Sequence, residues 1–417
     1  MMNKLDQSLF ICIVLLVMAL PVSIAGVSIF ASLAAALFLV KRIFAVRSGG
    51  RFFGSIPDSV VISALAFFSI CALSICFSEA PDLGIKALVA KIFQGIFLLF
   101  AVVDVVTTRR RVLCLFAAFG AAALLICVDG FWQLGRGVDF LSGNILNHGR
   151  VASAMKHPND LGAYLIFPVI VSLGILLWAW FEGGERSDFV RKIGMAAVLL
   201  FGVSLSIFGL TYSRGSWLGA LVAVIVFVLT RKKYLWACLG FVLVFALFFS
   251  PRMAETRNVS FISDSAAQFQ GLSFDKFSGS DRLNMWKDAS HIIKDHPVLG
   301  TGLNTYTRVI RRYSEFRKLY AHNGYIQLTA ELGFVGLAAF LWLLFSIGNT
   351  AFRNIILLKD PMALALMAGL FAAWIGFLVQ SGLDTTFYSV QLSRLLWFVM
   401  GFLVAGSMVM GKDSKSC

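Results

Sequence analysis

An all-α polytopic membrane protein with about twelve spanning helices is what this 417-residue sequence predicts, on three observations. Its residues are 59% hydrophobic and only 14% charged, whereas soluble domains carry about 25% charged residues. The apolar residues lie in uninterrupted runs of about 15 to 23, the length that crosses a bilayer. The runs are continuous, as from Ile193 to Leu210, and not the alternation over ~10 residues that marks a transmembrane barrel strand.

Breaking the runs at charged and Pro/Gly clusters places the elements in order. The first span, near 8 to 22, follows one lysine like a signal peptide, but no small-residue cleavage site followed by soluble sequence appears, so it is read as retained. A tight hairpin from Pro21 to Gly26 separates it from a second span near 24 to 40. Spans follow near 58 to 77, 86 to 106 and 112 to 130, then near 161 to 181, 193 to 210, 215 to 230 and 234 to 250. Three more lie near 334 to 352, 361 to 380 and 392 to 410. The chain thus divides into residues 1–250 (spans one to nine, with a loop segment at 131–160), a large loop at 251–333 with amphipathic helices, and residues 334–417 (spans ten to twelve and a short tail).

The distribution of basic residues gives the orientation. With twelve spans, Lys41/Arg42/Arg47/Arg51, Arg109/Arg110/Arg111, Arg186/Arg191/Lys192, Arg231/Lys232/Lys233, Arg353/Lys359 and Lys412/Lys415 all fall on one side, which is read as cytoplasmic together with both termini. Merging the first two spans would oppose the Lys41 cluster to the others. The formal charge of +14 is therefore membrane topology, not a nucleic-acid surface. The seven cysteines sit in apolar runs or at the C-terminus and read as small apolar residues. Segments 131–160 and 251–333 fall on the outer side, and all five histidines lie in them, so chemistry is expected there.

Within 251–333, Ser280 reads as the N-cap of a helix with Leu283, Trp286 and Ile293 on one stripe, ended by His296-Pro297. Gly300-Thr-Gly302-Leu-Asn304 lacks the third glycine and the strand of a dinucleotide fingerprint and reads as a turn. Residues 305–320 read as an amphipathic helix with Arg308, Arg311, Arg312 and Lys318 on its polar side, suited either to membrane lipid headgroups or to an anionic lipid-linked substrate. In the next segment Asn323, Gln327 and Glu331 are four apart and share a helical face just below His322. A helix N-terminus disfavours an imidazolium, so His322 is expected neutral, the form of a general base.

Arg214, in Leu-Thr-Tyr-Ser-Arg-Gly-Ser-Trp, sits between two apolar runs with almost no loop around it. An arginine near membrane depth costs roughly 2.5 to 3.5 kcal/mol on insertion scales, so an anionic partner is expected. Arg282 is the second such candidate, and two forked guanidiniums suit a phosphate or pyrophosphate. His157-Pro-Asn159-Asp160, downstream of Arg150, reads as a turn into a helix, either structural or substrate-contacting. The sequence contains no Asp-x-Asp pair and no Cys/His cluster with zinc spacing, so no metal or other cofactor is expected. Acidic residues are nearly missing from the apolar runs, which weighs against an ion-coupled transporter of an anionic solute.

These motifs, His157-Pro-Asn-Asp-Leu-Gly, Tyr212-Ser-Arg-Gly, Arg282…Trp286…His296-Pro-Val-Leu-Gly-Thr-Gly and His322-Asn-Gly-Tyr-Ile-Gln-Leu…Glu331-Leu-Gly-Phe-Val-Gly, resemble the bacterial O-antigen ligase and polymerase superfamily of inner-membrane glycosyltransferases. The resemblance implies a GT-C-like architecture in the bacterial inner membrane with an active site facing the periplasm. It also implies inverting, metal-independent transfer of a glycan from undecaprenyl pyrophosphate, in the ligases to a sugar of the lipid A core. In that resemblance His322 matches the histidine proposed to activate the acceptor hydroxyl, and Arg214 and Arg282 match arginines thought to bind the pyrophosphate. Arg150, His157, Asn159, Arg308, Arg311, Asn323, Gln327 and Glu331 are expected around the substrate. A repeat-unit polymerase or a protein O-oligosaccharyltransferase shares the pattern, so the acceptor stays open.

Overall fold

The computed structural model describes residues 2–54, 56–183, 187–240, 242–243, 279–314 and 320–413. In chain order the helices are α1 Met2–Ala19, α2 Ile24–Arg47, α3 Asp58–Cys76, α4 Pro81–Val105, α5 Arg109–Arg136, α6 Pro158–Phe181, α7 Asp188–Leu210, α8 Arg214–Thr230, α9 Gly279–Asp295, α10 Tyr306–Val309, α11 Gly324–Ile355, α12 Pro361–Ser381 and α13 Val390–Asp413. Ten of them are long and apolar enough to cross a membrane. The apolar α8 has 17 residues, and the ninth expected span, 234–250, is helical at 235–240 and 242–243 and otherwise lies outside the described residues. The chain is an all-α polytopic membrane protein, and the first two spans are separate helices.

Two groups of helices form the core. Helix α12 packs on α6 and α8, with α7 against α6, while α13 packs on α4, with α2 beside it and α1 on α2. Helices α3 and α11 lie together beside them. Close approach of α8 and α12 depends on two glycines: a Cβ on Gly219 would stand 2.5 Å from the Gly376 carbonyl oxygen. Small residues at such crossings let backbones touch where lipid offers no hydrophobic drive.

Two interruptions in spanning helices are satisfied by side chains or loops, as a membrane requires. Helix α4 carries a π-helical stretch at Leu88–Phe93, and Arg394 of α13 donates to the Ala90 and Lys91 carbonyls and to Gln94 Oε1. Helix α11 breaks at Gly333, with φ 66° and ψ −175°. The strap at 297–302 fills that break: Thr301 N and Gly302 N donate to the Ala330 and Glu331 carbonyls, and Phe334 N and Val335 N donate to the Pro297 and Val298 carbonyls. The Gly300-Thr-Gly302 turn thus has a structural purpose.

Two expectations for the large outer loop need correction. In α9 the buried stripe is Met285, Ala289 and Ile292, while Leu283 is exposed and the helix already starts at Gly279. The helix expected over 305–320 is only α10 and a 3₁₀ turn at Ile310–Arg312. Tyr306, Val309 and Ile310 are drawn into a small core with Ala289, Ile292, Ala321 and Ala330, and Tyr313 then turns to donate its hydroxyl to Asp295 at 2.8 Å. Residues 315–319 of that expectation lie outside the described residues.

Candidate functional site

The site forms where the first outer segment, the start of α11 and the link between α12 and α13 meet. The first outer segment is folded over the end of α5 by two buried side chains. Gln133 Oε1 accepts from Ala152 N and Ser153 N at 3.0 and 2.8 Å, and Asp129 accepts from Phe140 N and the Ser153 hydroxyl. Val151 N donates to the Leu210 carbonyl, and Arg150 Nε to the Thr211 carbonyl at 2.9 Å, tying the segment to the α7–α8 turn. In that turn Tyr212 has φ 47°, and Arg214 follows as the first residue of α8. A Cβ on Gly162 would lie 2.7 Å from Ser216 Oγ, so the glycine lets the first turn of α6 pack closely against the start of α8.

His322 also holds a positive φ, 46°. Such a conformation costs about 1 to 3 kcal/mol for a non-glycine residue and persists only where surrounding structure imposes it. Here Asn323 next to it caps α11, accepting from Tyr325 N and Ile326 N at 3.0 Å each, and Gly324 N donates to the Asp384 carbonyl. Trp286 of α9 donates to the Ala321 carbonyl at 3.0 Å. The His322 ring faces Asp384, with Nδ1 3.2 Å from Oδ1.

Asp384 is the residue the sequence analysis missed. It lies in a short link with no local pattern, and only the tertiary fold places it against His322 and Asn159. Asn159 Nδ2 donates to its Oδ2 at 2.8 Å, and Thr385 N to its Oδ1 at 2.8 Å. Burial raises the pKa of this carboxyl, but the hydrogen bonds and charge of His322, with Thr385 N–H and the Asn159 amide, outweigh that and hold it below the usual carboxylate range. A carboxylate on Nδ1 fixes the imidazole tautomer and makes Nε2 the basic nitrogen.

Around this pair the structure gathers cations. Arg150 Nη2 donates to Asn159 Oδ1 at 2.7 Å. Burial lowers the pKa of Arg150, Asp384 opposes this, and the nearby positive charges of Arg214 and Arg282 lower it further. His157 lies within electrostatic range of Asp384, His322 and Arg150. Six expected residues, Arg150, His157, Asn159, Arg214, Arg282 and His322, therefore share one neighbourhood.

The other five do not join it in the same way. Arg308 and Arg311 are exposed. Asn323 is the α11 cap, and Gln327 Oε1 accepts from Ala321 N at 3.3 Å. Glu331 accepts from Asn304 N at 2.9 Å, Tyr306 N at 3.3 Å and the Tyr388 hydroxyl at 3.1 Å, and it borders a small, largely apolar pocket with Lys91 and Trp397. The shared helical face is real, but its members act separately: Asn323 and Gln327 fix the backbone on either side of His322, while Glu331 holds Asn304 and Tyr306. Among the described residues, no group of three or more His, Cys, Asp or Glu side chains could hold a metal ion.

Residues 196–341 match the family described as O-antigen ligase. The superfamily resemblance stands. Its O-antigen ligase match spans α7 to the middle of α11 and contains Arg214, Arg282 and His322, whereas Arg150, His157, Asn159 and Asp384 lie outside it. Among curated proteins, the teichuronic acid biosynthesis protein TuaE of Bacillus subtilis (strain 168) is 22% identical over 379 residues, covering 85% of this chain and 73% of that protein. A putative polysaccharide ligase of Rickettsia bellii (strain RML369-C) is 29% identical over 178 residues, covering 38% of this chain and 42% of that protein.

Proposed function

We propose that this chain is a membrane glycosyltransferase that moves a glycan from undecaprenyl pyrophosphate to an acceptor sugar hydroxyl, at an outer, periplasmic face of the bacterial inner membrane with both termini cytoplasmic. The observation that carries the reading is the His322–Asp384 pair joined through Asn159 to Arg150, which lies within electrostatic range of Arg214 and Arg282. Nε2 of His322 takes the acceptor proton while the hydroxyl oxygen attacks the anomeric carbon. The bond to pyrophosphate breaks on the opposite face, so configuration inverts. Pyrophosphate is already a good leaving group, and the chemistry needs positive charge where negative charge develops, which the arginines and the N-terminus of α8 supply. No carboxylate nucleophile and no metal enter this scheme. We assign Asn323, Gln327 and Glu331 to holding the site.

For the acceptor, the lipid A core remains the first reading, making the protein an O-antigen ligase. Extension of carrier-linked glycan by a repeat-unit polymerase is the second, and it is favoured by the long alignment with a relative named for teichuronic acid biosynthesis. A reconstituted assay separates them: purified chain, carrier-linked glycan, lipid A core and EDTA, with His322→Ala alongside. Glycan on lipid A core, lost in the variant, supports the ligase; longer glycan on the carrier supports the polymerase. Transfer to neither, or full activity in His322→Ala, defeats the scheme.

A further inference from the structure

The amide of Asn159 is used at both ends. Its Oδ1 accepts from Arg150 Nη2 at 2.7 Å, and its Nδ2 donates to Asp384 Oδ2 at 2.8 Å, while Asp384 Oδ1 faces His322 Nδ1 at 3.2 Å. A continuous chain of side chains therefore runs from a guanidinium in the anion-binding cluster to the imidazole. We propose that Asn159 is a positioning residue that passes the occupancy of the Arg150 anion site to the His322–Asp384 pair. This deepens, and rests on, the transfer function proposed above.

The direction of the effect follows from hydrogen-bond chemistry. An amide must present its oxygen to Arg150 and its nitrogen to Asp384, because guanidinium only donates and carboxylate only accepts. Donation from Arg150 polarises the amide, which strengthens the Nδ2–H bond and draws charge from Asp384. When a pyrophosphate engages Arg150 that polarisation weakens. Asp384 then holds the Nδ1 proton of His322 more firmly, and Nε2 becomes the stronger proton acceptor as the leaving group arrives. No covalent bond changes in this relay.

The charged groups in electrostatic contact with the pair or with its neighbours Arg150, His157 and Asp160 come from every element around it: Lys156, His157 and Arg150 from the 131–160 segment, Asp160 from α6, Arg214 from α8, Arg282 from α9 and Asp384 itself. Two substitutions separate the two halves of the amide without changing any of these groups. Asn159→Asp keeps an acceptor for Arg150 but cannot donate to Asp384 and sets a like charge beside it. Asn159→Leu removes both contacts.

The test uses the full chain in detergent, with carrier-linked glycan as donor. The acid limb of the kcat/KM profile should move alkaline by about one pH unit in Asn159→Asp, since the lost hydrogen bond and the added negative charge both leave Asp384 favouring the imidazolium. Its kcat should return to within a few-fold of wild type above that limb. The donor KM should rise in both variants, in Asn159→Leu because Arg150 loses its fixed acceptor and in Asn159→Asp because a carboxylate competes with pyrophosphate for it. Equal loss of kcat at every pH in both variants, with the limb unmoved, overturns the proposal in favour of plain packing.

A second readout needs no transfer. Histidine ¹⁵N resonances, with His322 assigned through His322→Gln, should show its titration midpoint moving alkaline in Asn159→Asp. Inorganic pyrophosphate should move it further in wild type than in Asn159→Leu. An unmoved midpoint in both experiments sinks the relay even where transfer proceeds. If His322→Ala transfers glycan normally, it is the transfer function that fails, and the resonances still decide the relay.

Discussion

The basic side chains gathered around Asp384 and those at the opposite end of the helical bundle are treated in opposite ways. At the end holding the α2 C-terminus, Lys41 lies 2.5 Å from Asp6 and 2.8 Å from Asp104, Arg42 also pairs with Asp104, and Arg111 lies 2.6 Å from Asp6. Arg109 pairs with Asp360, and Arg231 and Lys233 with Glu182. At the other end Arg150 meets only neutral oxygens, and its charged neighbours include Arg214 and Arg282. Asp384, the carboxylate beside them, is occupied by His322, Asn159 and Thr385. Matched charges fasten helices. Gathered like charges raise the local potential at the expense of the fold, and an anionic ligand relieves them.

The largest expected effect is on the unmatched end. His322→Ala removes the base and should lower turnover by about 10² to 10⁴-fold, measured in the reconstituted assay against the same amount of folded protein. Arg214→Ala and Arg282→Ala should each cost about 3 kcal/mol of transition-state stabilisation, some hundredfold in rate. Their thermal unfolding in detergent should be unchanged or raised, because each substitution relieves repulsion. A large loss of stability in either would mean that these arginines fasten the fold, and the contrast between the two ends would collapse.

Asp104→Ala is the mirror experiment. It leaves Lys41 and Arg42 without their shared carboxylate, and orphaning buried charges costs about 3 to 5 kcal/mol. Thermal unfolding should move down by several degrees while turnover per folded molecule stays near wild type. Loss of turnover at unchanged stability would place that network in the catalytic cycle instead. A milder change sharpens the other side: Arg282→Lys keeps charge but loses the fork and should cost about tenfold, whereas full activity would make bidentate geometry irrelevant.

How much of this was legible beforehand depends on the range of the interactions involved. The spanning helices are written in long apolar runs, and the chain's basic loops set their ends, so the fold could be read locally. His322, Arg214 and Arg282 stand out because polar residues beside spanning segments need a reason. Asp384 gives no such signal. It stands 62 positions from His322 and 225 from Asn159, in a link whose sequence resembles any other turn, and no pattern of spacing pairs residues so far apart. Glu331 misleads for the complementary reason. Its spacing from Asn323 and Gln327 correctly marks a polar face, but periodicity does not say what each residue meets, and Glu331 meets Asn304 N and Tyr306 N, just past the strap that closes the break at Gly333.

The smallest expected effect concerns Arg308 and Arg311. Both are exposed, so each interacts through water and is screened beyond about 10 Å at 0.1 M salt. Whatever they contribute to an anionic lipid-linked donor is long-range attraction, which acts on association and not on the reacting bonds. Arg308→Glu with Arg311→Glu should therefore raise the donor KM by a few-fold at low ionic strength, leave kcat unchanged, and lose its effect as salt is added. Arg150→Ala, by contrast, should keep its defect at high salt, because its guanidinium is half-buried and held at 2.7 and 2.9 Å by fixed acceptors. If the two surface arginines instead lower kcat at every salt concentration, the substrate reaches across the α10 surface during reaction, and the site extends beyond the cluster around Asp384.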